Sequence, residues 1–511
     1  MASDIKQLEA KLWQASDELR ANSSLKLSEF AEPVLGLIFL KFVNNKFLNI
    51  TKDIEKETPK SNSGRQKQIT KEHYHARGCI FVPEQAKYSW LLSLPENENI
   101  GKYLNDAMRK IEAENLNLIG VLPKSYSSLD NSAVLTLLKN FNQIPDNLPG
   151  DAFGQIYEYF LGNFALSEGQ GGGEFFTPES IVKLIVEILE PYHGKIFDPA
   201  CGSGGMFVQS LEFIQKRLEA KKKSLATREI AIYGQEKTDQ TVRLAKMNLA
   251  IHGLSSDVKQ GNTYYEDLHD CVGKFDFTMA NPPFNVDNID ASKIQNDPRF
   301  PYGLPTTQRG NISNGNYIWA QIFLSSLSPK GRAGFVMANS ASDAGNGERE
   351  IRKQMIEDGF VDVMISVGSN MFYNVTLPVT LWFFDKNKKK RKNRILFIDA
   401  RNIFTQVDRA HRKWSDEQIK QIAEIVRSYR EEEGAVAYKD IKGVCKVADL
   451  EEIRKADYSL NPGRYVGIVE KENNFEDFAT SIKALNSSLE SLTKESHELE
   501  NEIKNNLKKI I

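Results

Sequence analysis

Six short apolar runs recur between about Asp151 and Ala400: "KIFDPA", "AIYGQE", "FDFTMA", "RAGFVMA", "VDVMISV" and "VTLWFFD". The stretches between them are helical in period. Strands that alternate with helices are joined by crossovers, and crossovers leave neighbouring strands parallel. This part of the chain is therefore expected to be an α/β fold with a doubly wound, largely parallel sheet. Ligands of such sheets bind at the carboxyl edge of the strands, so the residues that close each run are the candidates for chemistry.

The third run continues into "FDFTMANPPFN", Phe275 to Asn285. Proline has no N–H and is excluded from a central strand, so Pro282 and Pro283 lie past the strand and Asn281 is delivered to its carboxyl edge. The first run opens "KIFDPACGSGGMFVQSLEFIQKR", Lys195 to Arg217, a strand ending at Asp198, a glycine-rich turn from Gly202 to Gly205 and a helix. Glycines let backbone approach a ligand, and a helix start offers N–H groups. The dinucleotide fingerprint would need glycine at position 207, where this chain has Phe207, and a Walker lysine is missing. A diphosphate is therefore disfavoured, and Asp198 suits a cationic group such as an amino acid's ammonium.

The second run ends in Glu236, where an acid usually holds a ribose diol; the alternative is an acid capping the helix "TDQTVRLAKMNLAIHG". "GNTYY" brings Asn262 to a further strand end. Upstream, "GQGGGEFFTPES" reads as a glycine hinge, two aromatics and a helix with Thr177 as N-cap and Pro178 as its first residue.

A chain of 511 residues is too long for one ordinary core. Residues 1–150 are expected to form a helical domain, as in "DIKQLEAKLWQASDELR", where Ile5, Leu8, Leu12 and Trp13 share a face. "KETPKSNSGRQKQ" reads as a surface loop there. Residues 151–400 form the α/β domain, 401–470 a charged helical extension and 471–511 a coiled-coil tail. In that tail Phe475, Phe478, Ile482, Leu485, Leu489, Leu492, Leu499, Ile503 and Ile510 keep a three-and-four spacing, interrupted by Ser496 and Asn506. One apolar stripe on a helix needs a partner or a face of its own chain.

Lys+Arg 66 against Asp+Glu 68 gives a net charge of -2, so no global field draws this chain onto nucleic acid. Cys79, Cys201, Cys271 and Cys445 form no CxxC pair and read as reduced, buried thiols, with neither disulfide framework nor zinc site. His73 and His75 lack a third ligand, so no metal is expected. The longest apolar run, "PVLGLIFLKFV", is short for a membrane span and contains Lys41, and the chain reads as cytoplasmic.

"DPACGSGG" and "NPPF" resemble the cofactor and catalytic motifs of S-adenosylmethionine-dependent DNA amino-methyltransferases. "GEFFTPES", Gly173 to Ser180, resembles a signature of the modification subunits of type I restriction-modification systems. The resemblance covers most of the chain. It implies a Rossmann-like methyltransferase domain acting on adenine N6 of DNA, with S-adenosyl-L-methionine as cofactor. It also implies a separate specificity subunit that reads the sequence, a second copy of this chain, and a restriction subunit that joins them; the tail would pair with the specificity subunit. Cofactor contacts are implied for Glu174, Phe175, Phe176, Thr177, Pro178, Glu179, Asp198, Ser203, Gly204, Gly205, Glu236 and Asn262. The family often has an acid where this chain has Asn262, which can accept only through its carbonyl oxygen.

Adenine N6 is a poor nucleophile because its lone pair is delocalised into the ring. Two acceptors aimed at its hydrogens would localise that pair: the Asn281 side-chain oxygen and the Pro282 carbonyl, which proline's fixed φ holds in place, with Pro283 stiffening the turn. Phe284 can then stack on a flipped base. The polar stretch between Asn285 and Asn316 is expected to lie near DNA and order on binding, or to be a floppy excursion. "DKNKKKRKNR", Asp385 to Arg394, is either a solvated hairpin tip or a phosphate contact. Transfer to RNA or to a protein glutamine, and a non-catalytic cofactor-binding scaffold, are the competing readings.

Overall fold

The computed structural model describes residues 2–21, 27–57, 69–145, 152–167, 177–220, 230–306, 310–372, 378–408 and 411–468, and most of 482–500. Among the described residues no strand precedes Gly194. The apolar run "PVLGLIFLKFV" lies in the helix Leu27–Glu57, with Val34, Leu35, Leu37, Ile38, Phe39 and Leu40 all fully buried. Neighbouring helices surround it, among them Ile100–Glu114, Asn131–Phe141 and Ala152–Ser167. Lys41 is buried with it, donating to Asn142 Oδ1 at 3.3 Å and lying 5.2 Å from the Tyr88 ring centre. The same core takes in Met247 and Ile251 of the helix Asp239–Ile251, so the helical region packs directly on the α/β region. Most of the expected loop "KETPKSNSGRQKQ" lies outside the described residues.

The strands are β1 (Gly194–Asp198), β2 (Ile230–Glu236), β3 (Ser256–Gln260), β4 (Phe275–Ala280), β5 (Leu327–Ala338), β6 (Val361–Val367), β7 (Val379–Asp385), β8 (Arg394–Asp399), β9 (Thr405–Gln406), β10 (Arg412–Lys413) and β11 (Cys445–Asp449). Nine of them form one sheet in the order β11-β8-β6-β7-β5-β4-β1-β2-β3. The strands from β3 through β5 are parallel, as are β6 and β8. β7 runs antiparallel between β5 and β6. Residues 368–378 that precede it are too few for a helical crossover, so the chain turns back on itself. The strand order reverses between β1 and β4, which leaves a crevice above their carboxyl ends.

All six sequence-predicted strands form. The strand end expected before "GNTYY" is that of β3, "SDVKQ", an edge strand in which only Val258 is deeply buried, so it lacks the apolar run of a central strand. β11 arises within the expected charged helical extension and pairs antiparallel with β8. The helix Asp416–Arg430 of that extension packs on Glu179–Leu189, where Arg427 meets Glu187 and the Arg430 guanidinium donates to the Ile188 carbonyl at 2.6 Å. In the tail, described as helix at most positions from Ile482 to Glu500, Ile482, Leu485, Leu489, Leu492 and Leu499 are exposed. Phe475, Phe478, Ile503, Asn506 and Ile510 lie outside the described residues.

The basic run Asp385 to Arg394 is only partly a solvated tip. Lys388 is buried and donates to the Arg394 carbonyl at 2.6 Å, and Arg391 pairs with the fully buried Asp362. Arg430 also reaches Asp362, at 3.1 Å. Burial alone would raise the Asp362 carboxyl, but Arg430 and Arg391 hold it below its ordinary range. The run joins the end of antiparallel β7 to the start of β8, so it lies at the amino edge of the parallel strands, opposite the crevice. Removing one member of a buried charge cluster leaves the others uncompensated, typically at about 3 to 5 kcal/mol. Asp362→Ala is accordingly expected to lower the urea midpoint by that equivalent, whereas Lys390→Ala on the exposed part of the run is expected to leave it within about 0.5 kcal/mol.

Candidate active site

Four strand ends converge on the crevice. β1 closes with Asp198, which is 2 % exposed and accepts from the Ala200 amide at 2.9 Å through Oδ1. Burial pushes its carboxyl up to about 8; the Ala200 amide offsets part of that, and the neighbouring Glu236 adds to it. Beyond Asp198 the chain turns through Gly202 (φ +51°) and Gly204 (φ +79°) into the helix Gly205–Ala220. These left-handed conformations admit glycine without strain. A Cβ on Gly204 would stand 3.5 Å from Leu249, so this residue seats the turn on the neighbouring helix.

β2 closes with Glu236, whose two oxygens take three backbone amides: Gly202 at 3.1 Å, Lys237 at 2.7 Å and Thr238 at 3.2 Å. The Glu236 side chain thus fixes the turn that leads to the helix Asp239–Ile251, whose cap position is Thr238, and ties the glycine turn to the second strand. After β3, the Asn262 side-chain oxygen accepts from the Tyr264 amide at 3.1 Å, a local Asx turn. After β4, Asn281 donates through Nδ2 to Thr177 Oγ1 at 3.0 Å. Thr177 was expected to cap the helix that follows it. Pro178 occupies the cap position instead, the helix runs Glu179–Leu189, and the threonine hydroxyl is turned to Asn281.

These ends enclose a cavity of about 530 Å³. Thr177, Asp198, Ser203, Gly205, Glu236 and Asn262 lie on its wall, together with Asn281 and Pro283. Gly204, Pro178, Glu179, Pro282 and Phe284 do not. Phe284 is half-buried and packs against the apolar clusters on the sheet's two faces. Glu174, Phe175 and Phe176 lie outside the described residues, as does the glycine hinge. The wall also includes Tyr264, Tyr265, Val286, Ile289 and Trp319, which the motifs did not identify. "GNTYY" held a signal for the two tyrosines; Trp319 comes from the helix Asn316–Ser326, which no motif marks.

The described residues of the polar stretch after "NPPF", 285–306 and 310–316, are ordered by packing and hydrogen bonds. Ile289, Ile294, Phe300 and Ile312 are buried in it, and Ile289 bridges to Ile312. Asn285, in the left-handed region, accepts through Oδ1 from Asn314 at 3.1 Å and Asn316 at 2.9 Å, which closes the excursion at its base. Arg299, 1 % exposed, pairs with Asp297 and donates to the Thr263 carbonyl at 2.7 Å. Sequence patterning did not predict this order because the segment has few apolar residues and is held largely by polar contacts.

Among the described residues no group of three or more histidine, cysteine or acidic side chains could hold a metal, and the four cysteines are buried and unbridged. What converges at the crevice is a buried carboxyl at Asp198, the Glu236 carboxyl and the Asn281 amide, around a cavity with polar and apolar walls.

Residues 149–474 match the N-6 DNA Methylase family, and residues 8–141 match the HsdM N-terminal domain. The chain belongs to the N-6 DNA Methylase family. It is 37 % identical to the type I restriction enzyme MjaIX methylase subunit of Methanocaldococcus jannaschii, over 98 % of this chain and 90 % of that one. It is 39 % identical to the HindI methylase subunit of Haemophilus influenzae, over 80 % of this chain and 92 % of that one. The type I methyltransferase subunit from Streptococcus thermophilus superposes with a TM-score of 0.74 at 23 % identity, covering 91 % of this chain and 100 % of that one. The protein is thus a type I restriction enzyme methylase subunit and a DNA methyltransferase, with the Rossmann-like domain and helical amino-terminal region of that family.

Arg299 is the tie between the excursion and the turn Asn262–Glu266, through the Thr263 and Glu266 carbonyls. Arg299→Met would leave Asp297 and the carbonyls around it without their buried donor, a loss on the order of 3 kcal/mol. Hydrogen exchange of the amides from Thr263 to Glu266 is expected to accelerate about a hundredfold, with the amides of β1 and β4 unchanged.

Proposed function

We propose that this methylase subunit transfers a methyl group from S-adenosyl-L-methionine to the N6 amine of adenine in duplex DNA. The observation that carries the reading is that Asn281, delivered by β4 and its prolines, shares one cavity with Asp198 of β1 and Glu236 of β2. When bound, the cofactor would supply a methyl group on a sulfonium, an electrophile that needs no side-chain nucleophile. The residues present fit such a group. Asp198 is a buried carboxyl able to pair with an ammonium, and Glu236 retains lone pairs for a diol beside the amides it already holds. The acceptor role first considered for Asn262 is weakened by its Asx turn. Its Nδ2 is a donor suited to a purine ring nitrogen. Ser203 and Gly205 would line the amino-acid side.

Asn281 would accept one hydrogen of the target amine through Oδ1, and the Pro282 carbonyl would accept the other, localising the lone pair on nitrogen. For the ring face of an extruded base, Tyr264, Tyr265 and Trp319 on the cavity wall are better supported than Phe284, which packs elsewhere. Target selection would belong to a specificity subunit, held by the tail seam from Ile482 to Leu499, with a second copy of this chain and a restriction subunit completing a cytoplasmic assembly. Support for these partners comes from the similarity to type I methylase subunits and from a fold shared, at a TM-score of 0.61, with a chain solved in a study of type I complex assembly.

Asn281→Ala is expected to reduce methyl transfer to duplex DNA by at least a hundredfold while leaving cofactor affinity within about twofold, read by radiolabel transfer and calorimetry. Wild-type transfer by that variant would refute the assignment. A second outcome follows from Asp198. A carboxyl whose folded pKa is raised stabilises the free protein in its protonated form, and that contribution is lost as pH rises through about 8. Pairing with an ammonium requires the ionised form, so binding must expel the proton. Cofactor affinity is therefore expected to rise about tenfold per unit between pH 6 and 7.5, with close to one proton released. Calorimetry in buffers of different ionisation enthalpy reads the proton, and Asp198→Asn should abolish both its release and the pH dependence.

A further inference from the structure

We propose that Thr177 is a positioning residue for the transfer: its hydroxyl fixes the Asn281 side chain in the rotamer from which the amide oxygen reaches the target amine. The inference rests on the reading of Asn281 as an acceptor. The hydroxyl that would have capped the helix Glu179–Leu189 caps nothing; it takes the Asn281 Nδ2 hydrogen at 3.0 Å, linking two points 104 residues apart in sequence. Thr177 is well suited to hold a fixed position. A residue before proline is confined to extended backbone, and a β-branched side chain has few χ1 rotamers. The helix it leads into is buried through Ile181, Val182, Leu184 and Ile185, so the anchor moves only if the core does.

The Asn281 amide needs such an anchor. Its terminal torsion is broad and nearly two-fold, so an unanchored side chain would sample both orientations. In one, the carbonyl oxygen meets an amine hydrogen. In the other, two N–H donors face each other and the amine's lone pair is not localised. The bond observed, Nδ2 donating to the Thr177 hydroxyl, is made in the first orientation, in which the carbonyl oxygen and its two lone pairs serve the amine; the hydroxyl fixes the position and torsion of the side chain. The β4 end and the segment before the helix thereby become one device: displacing Thr177 would switch off the acceptor without touching the pocket's carboxyl groups.

The test compares Thr177→Val, which keeps the shape and removes the hydroxyl, with Thr177→Ser, which keeps the hydroxyl. Single-turnover methyl transfer at saturating S-adenosylmethionine, calorimetric cofactor affinity and thermal midpoint are measured on the full chain in its DNA-methylating assembly. Thr177→Val is expected to slow transfer at least tenfold with cofactor affinity within twofold and an unchanged midpoint, and Thr177→Ser to stay within threefold of wild type. In an Asn281→Ala background, Thr177→Val should add no further loss; if that background is below detection, the serine rescue decides. Weakened cofactor binding with an unchanged saturated rate would make Thr177 a cofactor contact and overturn the proposal. So would a wild-type rate for the valine variant, or equal losses for valine and serine. An Asn281→Ala protein that methylates normally would instead refute the acceptor reading itself.

Discussion

Pro282 has no N–H to give to a neighbouring strand, and the site follows from that lack. β4 is central, flanked by β1 and β5, so its backbone must be paired along its length and must leave the sheet where pairing fails. It leaves at Ala280, and Asn281 is the first residue past the strand. Because the strand order reverses between β1 and β4, the place where it emerges is the mouth of the crevice. One missing donor thus puts an amide opposite the carboxyl of Asp198, whose own strand ends next to another proline, Pro199.

The walls of the crevice are held by backbone groups to an unusual degree. Glu236 takes three amides, Asp198 one, and Asn262 closes a turn on the Tyr264 amide. A carboxylate fixed by N–H groups needs little reorganisation when a ligand arrives, since the dipoles that stabilise it are already in place. Asp198 differs in kind. It is buried with a single amide, and its raised pKa leaves it poised to exchange a proton for a cation. Two acids a few residues from each other in space thus differ in how they are held, one by amides and one by burial, which is how a site can separate a diol from an ammonium.

Much of this was legible in the chain, for reasons that particular residues make plain. The strands were readable because central strands are apolar on both faces, as in "VTLWFFD", and Asp198, Glu236 and Asn281 stood out because each closes or follows such a run. β3 was marked only by the "GNTYY" after it, since an edge strand with one buried residue has no such signature. Thr177 was assigned to the helix because Thr-Pro is a frequent helix start; that its hydroxyl instead crosses to β4 depends on tertiary geometry. The order of the excursion after "NPPF" was hidden for a related reason. Its anchors are Asn285, Asn314, Asn316 and the buried Arg299, residues that composition assigns to solvent.

The two edges of the sheet divide the chain's charge between structure and chemistry. At the amino edge, Arg391 and Arg430 converge on Asp362 and Lys388 caps carbonyls, so a run that looks made for phosphate is partly committed to holding β6, β7 and β8 together. At the carboxyl edge, the described groups on the cavity wall include the Asp198 and Glu236 carboxyls, the Asn281 amide and a single lysine, Lys237. A net charge of -2 adds no general attraction for DNA. On the reading proposed above, the site supplies chemistry for one nucleotide and a partner would supply the grip on the duplex. The exposed seam from Ile482 to Leu499 is where that proposal puts the partner, because an apolar stripe at heptad spacing is stabilised by packing against another helix.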